Sequence, residues 1–259
     1  MKKNATPHLC DTHCHLTATE IPGGPKAAFE RASRAGVTRI AVVESVPESW
    51  KETTELCRDT NGGLLPACGL HPCFLPDDGE CDRLLSELVE LSPLLSAIGE
   101  TGLDGTAPGM DRQKRVLREH LRLACDLDKP VLIHCRRAFP EFLEILSDFA
   151  PALRGVMHCY SGSAEQLAPF LKAGLFISFA GPITFEGARR PLKALKATPL
   201  DRLLLETDSP DLTPVPYRGL PNEPAFLPCI AAVAADAHGL PLVEICRITY
   251  DNAARLFRF

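Results

Sequence analysis

The sequence predicts an α/β chain folded as a (β/α)8 TIM barrel, and three observations carry that prediction. Eight short apolar runs rich in Val, Ile and Leu alternate with longer segments of helical period along the 259 residues. The repeat averages about 32 residues, the length of a strand, a helix and two loops. The apolar runs are nearly unbroken, as expected of parallel strands covered on both faces. A closed barrel of this kind needs about 250 residues, which the chain supplies.

The elements follow in order. A strand at 8–14 leads through a glycine-containing turn to a helix at 25–35, which Ala35-Gly36 ends as a C-terminal glycine cap. Strands at 38–43 and 64–70 enclose a helix at 49–60, and a helix at 81–92 precedes a strand at 94–99. A long amphipathic helix spans 112–128, and Pro130 closes it and opens a strand at 130–135, a position that admits proline. A helix at 138–149 leads to a strand at 154–159. Ser163, with Gln166 three residues on, caps a helix at 163–173 that Gly174 closes. A strand at 175–180, a helix at 187–197 and a strand at 202–207 complete the ring. The helical tail at 225–257 is broken by Gly239-Leu240-Pro241. An open doubly wound sheet uses the same units but asks for a glycine-rich phosphate loop after the first strand. His15-Leu16-Thr17 stand there instead, and Gly23-Gly24 come too late. No linker, low-complexity stretch or near-identical repeat divides the chain, so residues 1–259 are expected to form one domain.

With 45% hydrophobic and 24% charged residues, the composition is that of a globular enzyme with a large core. A net charge of −5 gives no broad basic footprint for nucleic acid, so any such substrate would be held locally. The 11 cysteines are odd in number and lack a repeated spacing, and Cys68, Cys135 and Cys159 lie inside apolar strand runs. Reduced, buried thiols are expected rather than a disulfide framework. No apolar segment follows the two N-terminal lysines and no run reaches membrane-spanning length, so a cytoplasmic protein with no membrane association is expected. No obligate protein partner is evident.

Side chains on a strand alternate faces, so Asp11, His13 and His15 project the same way from the first strand. Two imidazoles on one face suit a shared divalent cation. Glu100, His134, His158 and Asp208 stand at or near the ends of four further strands, where the active site of such a barrel is built. Glu100 has two carboxylate oxygens and a glycine on either side of Glu100-Thr101, which suits it to bridging two cations; it could instead pair with an arginine. His134 and His158 end successive strands and could hold a second ion. Asp208, at the mouth, suits a ligand that also takes a proton from the attacking water. Glu206 lies one layer deeper, either fixing a histidine tautomer or joining a buried ion pair. Asp11, also deeper, reads as a residue behind the ligands. Cys14, Cys135 and Cys159 neighbour the histidines in sequence and therefore point to the opposite face.

These residues closely resemble the TatD family of metal-dependent hydrolases, within the amidohydrolase-like TIM barrels. The likeness rests on Asp11-Thr12-His13-Cys14-His15-Leu16, Gly99-Glu100-Thr101-Gly102-Leu103-Asp104, His158-Cys159-Tyr160-Ser161-Gly162-Ser163 and Leu204-Leu205-Glu206-Thr207-Asp208-Ser209-Pro210. Gly69-Leu70-His71-Pro72, Arg218-Gly219, Asn222-Glu223-Pro224 and Asn252 with Arg255-Leu256-Phe257 extend it from about residue 9 to the C-terminus. The resemblance implies a TIM barrel with a DNase-type phosphodiesterase activity and two divalent cations. It implies that His13, His15 and Asp208 hold one cation, His134 and His158 the other, and that Glu100 bridges them. Where many amidohydrolases carry a carboxylated lysine at the bridge, this chain has Glu100. It departs from the commoner TatD pattern at Arg137, where aspartate is frequent. After Asp104 an aromatic is usual, and Gly105-Thr106-Ala107-Pro108-Gly109 here reads as a flexible loop.

The expected activity is hydrolysis of DNA or another phosphate ester, by a TatD-type deoxyribonuclease acting in the manner of a 3'-5' exonuclease. The cations would lower the pKa of a shared water and clamp the phosphate oxygens, while Asp208 collects the proton. His71 and Arg136 are candidate phosphate contacts. Imidazole and carboxylate donors admit Zn, Mn, Ni, Fe, Co or Mg, with transition metals the more natural choice for four histidines. The alternative activity keeps the cations and cleaves an amide, cyclic amide or ester of a small molecule.

Overall fold

In the computed structural model, which describes residues 8–58 and 60–259, eight parallel strands pair in the order of the sequence. They are β1 (Leu9–Cys14), β2 (Val37–Glu44), β3 (Leu64–Cys68), β4 (Ala97–Asp104), β5 (Val131–Arg136), β6 (Gly155–Met157), β7 (Phe176–Phe179) and β8 (Leu203–Leu205). Between them run α1 (Gly24–Arg34), α2 (Trp50–Arg58), α3 (Asp78–Leu91), α4 (Met110–Asp126), α5 (Phe139–Leu146), α6 (Ala168–Lys172) and α7 (Arg189–Ala197). After β8 come α8 (Leu227–His238) and α9 (Leu242–Phe257). Local chemistry sets these bounds. The Asp77 carboxylate accepts the Glu80 amide at 3.0 Å to start α3, and Gly239 ends α8 in a left-handed conformation that glycine adopts freely.

Strand alternation divides the apolar residues into two layers. On β2, Ile40 and Val42 pack outward with the helices, whereas Ala41 and Val43 pack inward with Ala67, Leu132, Val156 and Leu204. Leu256 and Phe257 of α9 join the inner layer, so the tail plugs the end of the barrel opposite the strand C-termini. Each large side chain buried in this way contributes roughly 1.5–3 kcal/mol. Cys14, Cys68 and Cys135 belong to the outer layer, and every described cysteine is a free thiol.

Three expectations need correction. The predicted helix at 163–173 is a 3-10 turn at Ala164–Gln166 followed by the short α6. Ser163 and Gln166 do pair, through a 3.0 Å bond from the Ser163 amide, but Pro169 lacks an amide and the helix restarts there. The fourth strand does not stop at 99. It begins at Ala97 and runs through Glu100 to Asp104, with Gly102 paired to His134 and Asp104 to Arg136. A Cβ on Gly102 would lie 1.8 Å from the His134 carbonyl, so a glycine is required there by the neighbouring strand. Cys159 lies beyond β6 in a left-handed conformation, not inside a strand.

Among the described residues no strand ladder joins β8 to β1, and side chains and flanking backbone complete the seam. Thr12 Oγ1 donates to the Leu205 carbonyl at 3.1 Å. The Thr207 amide and hydroxyl donate to the Asp11 carboxylate at 2.9 and 2.5 Å. Beyond them, the Asp208 amide donates to the His13 carbonyl and the His15 amide to the Ser209 carbonyl, each at 2.9 Å.

His120, fully buried on α4, ties the helix to the end of β3. Its Nδ1–H donates to the Val116 carbonyl at 2.8 Å and its Nε2 accepts the Leu70 amide at 3.0 Å. Burial pushes its pKa down to about 4. Between pH 6.5 and 4 the unfolded chain therefore binds a proton that the native fold refuses, so this contribution to stability is complete above pH 6.5 and falls as the pH is lowered. The loss amounts to about 3 kcal/mol. In urea titrations of metal-free protein, the stability advantage of wild type over His120→Gln should shrink by that amount between pH 7 and pH 4. Parallel pH curves for the two proteins would remove His120 from the account.

Candidate metal centre

Five imidazoles and two carboxylates converge at the C-terminal mouth of the barrel. His13 lies on β1 and His15 just past it, Glu100 within β4, and His134 on β5. His71, His158 and Asp208 follow the ends of β3, β6 and β8. Glu100 is the hub and is 2% exposed. Its Oε2 stands 3.3 Å from His13 Nε2 and 3.7 Å from His15 Nε2. Its Oε1 stands 2.8 Å from His158 Nε2, 3.0 Å from His134 Nδ1 and 3.3 Å from His71 Nε2. Asp208 Oδ1 lies 3.8 Å from both His13 Nε2 and His15 Nε2. Each oxygen of Glu100 thus faces a different group of imidazoles.

The remaining ring nitrogens determine which histidines can offer a lone pair. His15 Nδ1 lies 3.1 Å from the Val43 carbonyl, which accepts its proton and leaves Nε2 free to ligate. His134 Nε2 lies 3.0 Å from Asp104 Oδ2, leaving Nδ1 free. His158 Nδ1 stands 3.4 Å from Glu206 Oε1, and Nε2 points at Glu100. His71 is different. Its Nδ1 accepts the Cys73 amide at 3.2 Å, so the neutral ring carries its proton on Nε2 and donates to Glu100. Distance alone would group His71 with Glu100 and His134 as ligands, but the tautomer makes it a hydrogen-bond donor.

Burial and mutual charge tune the group. Burial, and then the neighbouring His158, lower the His13 pKa and keep that ring neutral. Burial alone would raise the Glu100 pKa, yet His158, His13 and His71 together hold it well below the ordinary carboxylate range. Burial likewise opposes charge on His158, but Glu100 and Glu206 outweigh it and raise its pKa. The ring nitrogens of His13 are buried without a hydrogen-bond partner, as is Nδ1 of His158. Orphaned buried nitrogens beside carboxylate oxygens are the signature of donors arranged for a cation. The ligand atoms of His13, His15 and Glu100 lie within 4.8 Å of one another, so the residues fit a bound metal.

The two residues expected behind the ligands act differently. Glu206, fully buried, accepts the Cys159 amide at 2.5 Å, and its Oε1 lies 3.4 Å from His158 Nδ1 without a hydrogen bond between them. Asp11 touches no ligand imidazole. It accepts from Thr207 and, at 3.3 Å, from the His13 amide, so it acts on the centre through the backbone. Burial pushes its carboxyl up to about 8 despite these donors. Asp208 has a left-handed backbone, φ 56°, fixed by its amide bond to His13. Buried Asn222 holds the same segment by donating to the Thr207 and Asp211 carbonyls at 2.8 and 2.7 Å.

Asp104 had no assigned role in the sequence reading. It orients His134 and accepts from the Thr106 amide and hydroxyl at 2.7 and 2.5 Å. The strand alternation Glu100, Gly102, Asp104 was its available signal, hidden by the early end given to that strand. The loop at 105–109, expected to be flexible, is pinned by the buried side chain of Gln113. Its amide donates to the Asp104 and Pro108 carbonyls at 3.2 and 3.1 Å, while its oxygen accepts the Asp104 amide at 2.8 Å. Glu44, at the end of β2, accepts from Thr17, Thr53 and the Val46 amide, which accounts for its carboxylate without a ligand role.

Two cavities meet at this centre. One, of about 790 Å³, is lined by His71, Phe74, Glu44 and Glu52 beside the metal-facing residues. The other, of about 750 Å³, is lined by Arg136, Arg137, Arg190 and Phe139, and shares His134, His158 and Asp208 with the first. The two candidate phosphate contacts from the sequence therefore line different cavities, His71 the first and Arg136 the second.

Comparison with known proteins places the chain among enzymes of related architecture. A family model described as TatD related DNase matches residues 10–258. An uncharacterized metal-dependent hydrolase of Bacillus subtilis, YabD, is 37% identical over 254 residues, covering 96% of this chain and 99% of the relative. A 3'-5' ssDNA/RNA exonuclease TatD of Erwinia billingiae is 35% identical, covering 96% and 99%. The crystal structure of YjjV, a TatD homologue from Escherichia coli, superposes with a TM-score of 0.90 at 32% identity, covering 98% and 100%.

Proposed function

The chain belongs to the TatD-related DNase family of metal-dependent hydrolases, and from that premise we propose that it is a two-cation phosphodiesterase that removes nucleotides from single-stranded DNA in the 3'-to-5' direction. One observation carries the two-cation reading: the two oxygens of Glu100 face separate sets of lone-pair nitrogens, His13 and His15 on one side, His134 and His158 on the other. The whole chain, 1–259, acts as one catalytic domain. Its free and mostly buried thiols favour a reducing, cytoplasmic setting.

When bound, divalent cations would acidify a water and withdraw charge from the scissile phosphate. The protein's own groups do the rest. Asp208, partly open to the cavity, accepts the proton released at the attacking oxygen. Asp104 holds His134 in the tautomer that presents a lone pair, and the buried carboxylate of Glu206 stands beside His158 Nδ1. His71 donates to Glu100 and keeps that carboxylate turned toward the centre. Arg136, the last residue of β5, lies two residues beyond His134 and is the side chain offered to the phosphate. An acidic protein with a short basic lining suits attack at a chain end rather than binding along an extended backbone.

Protein purified without added metal should carry about two transition-metal ions per chain by elemental analysis, as four imidazole donors favour over magnesium. Bis-p-nitrophenyl phosphate and single-stranded DNA should be hydrolysed, and simple amides left intact. Amide turnover far above that of every phosphate ester would overturn the nuclease reading in favour of amidohydrolase chemistry.

A further inference from the structure

The two cavities carry opposite charge. The first is lined by Glu20, Glu44 and Glu52, with no lysine or arginine among its walls. The second has three guanidinium groups, from Arg136, Arg137 and Arg190, and an apolar wall of Phe139, Pro182 and Leu212. None of the three guanidinium groups has an ion pair or hydrogen bond among the described residues. Many arginines elsewhere are paired with carboxylates, such as Arg115 with Asp78 and Asp82 and Arg247 with Glu244 and Asp251, although among the described residues Arg58 and Arg189 are not. The carboxylates facing the second cavity are Asp208 and Asp211, at its edge with the metal centre. Glu165 feels the charge of Arg190 without forming an ion pair with it.

Arg137 is placed there by its backbone. It sits just past β5 with φ 53°, so the chain turns immediately after Arg136. Gly105 makes room for that turn, since a Cβ at 105 would lie 2.5 Å from the Arg137 carbonyl. Arg190 enters the cavity from the first turn of α7. Exposed guanidinium groups without carboxylate partners, set around a cavity that opens on the proposed phosphodiester centre, are planar donor forks suited to pairs of phosphate oxygens.

We infer that Arg137 and Arg190 form a subsite for a second, non-scissile phosphate, one nucleotide away from the phosphate at the metal centre. This rests on the phosphodiesterase reading above. The acidic cavity then receives the terminal nucleoside, which carries no further phosphate, and the remaining strand leaves past the arginines. For a 3'-to-5' enzyme the second phosphate is the one on the 5' side of the cleaved bond.

The dinucleotides TpT and pTpT differ only in that phosphate. Wild-type protein should prefer pTpT in kcat/KM by at least about tenfold, and Arg137→Gln with Arg190→Gln should bring the ratio close to one. A ratio unchanged in the double variant, whatever happens to the separate rates, would overturn the subsite. Equilibrium binding of the same pair to Asp208→Asn protein reads the subsite without turnover. If wild type cleaves neither dinucleotide but the binding preference for pTpT is present and lost with the arginines, the nuclease reading fails and the anion subsite stands. If binding shows no preference, the subsite fails by itself. A TpTp substrate, with a phosphate forced toward the acidic cavity, should be cleaved at least about tenfold more slowly than TpT; equal rates would overturn the assigned direction of the strand.

Discussion

Glu100→Gln is expected to lower kcat/KM on bis-p-nitrophenyl phosphate by at least about a thousandfold and to empty most of the metal from both sides of the centre. The substitution keeps the shape of the side chain but replaces an anion by a neutral amide. Glu100 is buried, and five imidazole nitrogens lie within 3.7 Å of its two oxygens. Glutamine has one acceptor oxygen, so it can serve one group of histidines and presents NH2 donors to the other. A thousandfold loss corresponds to about 4 kcal/mol of lost transition-state stabilisation. Elemental analysis beside the rate separates a ligand from a group that merely packs. A variant that keeps two ions and turns over within tenfold of wild type would deny Glu100 the bridging role. Thermal unfolding with and without added metal gives a second reading, because a ligand that binds only the native state raises its stability. That increment should collapse in Glu100→Gln.

Asp208→Asn should reduce kcat by a factor of about a hundred to ten thousand while leaving much of the metal in place. Asn tolerates the left-handed backbone at 208 and keeps the amide bond to His13, so the seam survives. What it lacks is the capacity to take a proton. Asp208 contributes one oxygen at 3.8 Å to the side that His13, His15 and Glu100 also serve, so three donors remain there and the other side is untouched. Loss of rate with most metal retained marks the proton acceptor; unchanged turnover would remove Asp208 from the mechanism. Asp208→Ala should additionally lose roughly 1 kcal/mol of stability, since alanine has no side-chain bond to offset the left-handed conformation.

The alternation of apolar runs and helical segments made the barrel readable, because burial on both faces leaves a strand little choice of residue. That six ionisable side chains converge at the barrel mouth was readable for the related reason that such residues rarely end apolar runs. The failures were local. Polar and glycine residues made β4 look finished at 99, although Gly99 and Gly102 are small because other backbones press against them. Asp104 was lost with the end of that strand. Which nitrogen of His71 carries the proton depends on the Cys73 amide, a contact that spacing does not encode. The stiffness of the 105–109 loop comes from Gln113, one helical turn into α4, and composition alone reads that loop as loose. The charge difference between the two cavities required tertiary structure, since Arg137 and Arg190 come from different strand-helix units.

The seam between β1 and β8 has a bearing on when this molecule can be dangerous to nucleic acid. Asp11 and Thr207 meet across 196 positions of sequence, and His13, His15 and Asp208 are delivered by the same closure. A chain still emerging during synthesis, or one opened at this edge, has its donors scattered and no cutting centre. Long-range closure is entropically expensive and is recovered only when the packed ring is complete. Competence to cleave is therefore withheld by topology until the last strand has docked.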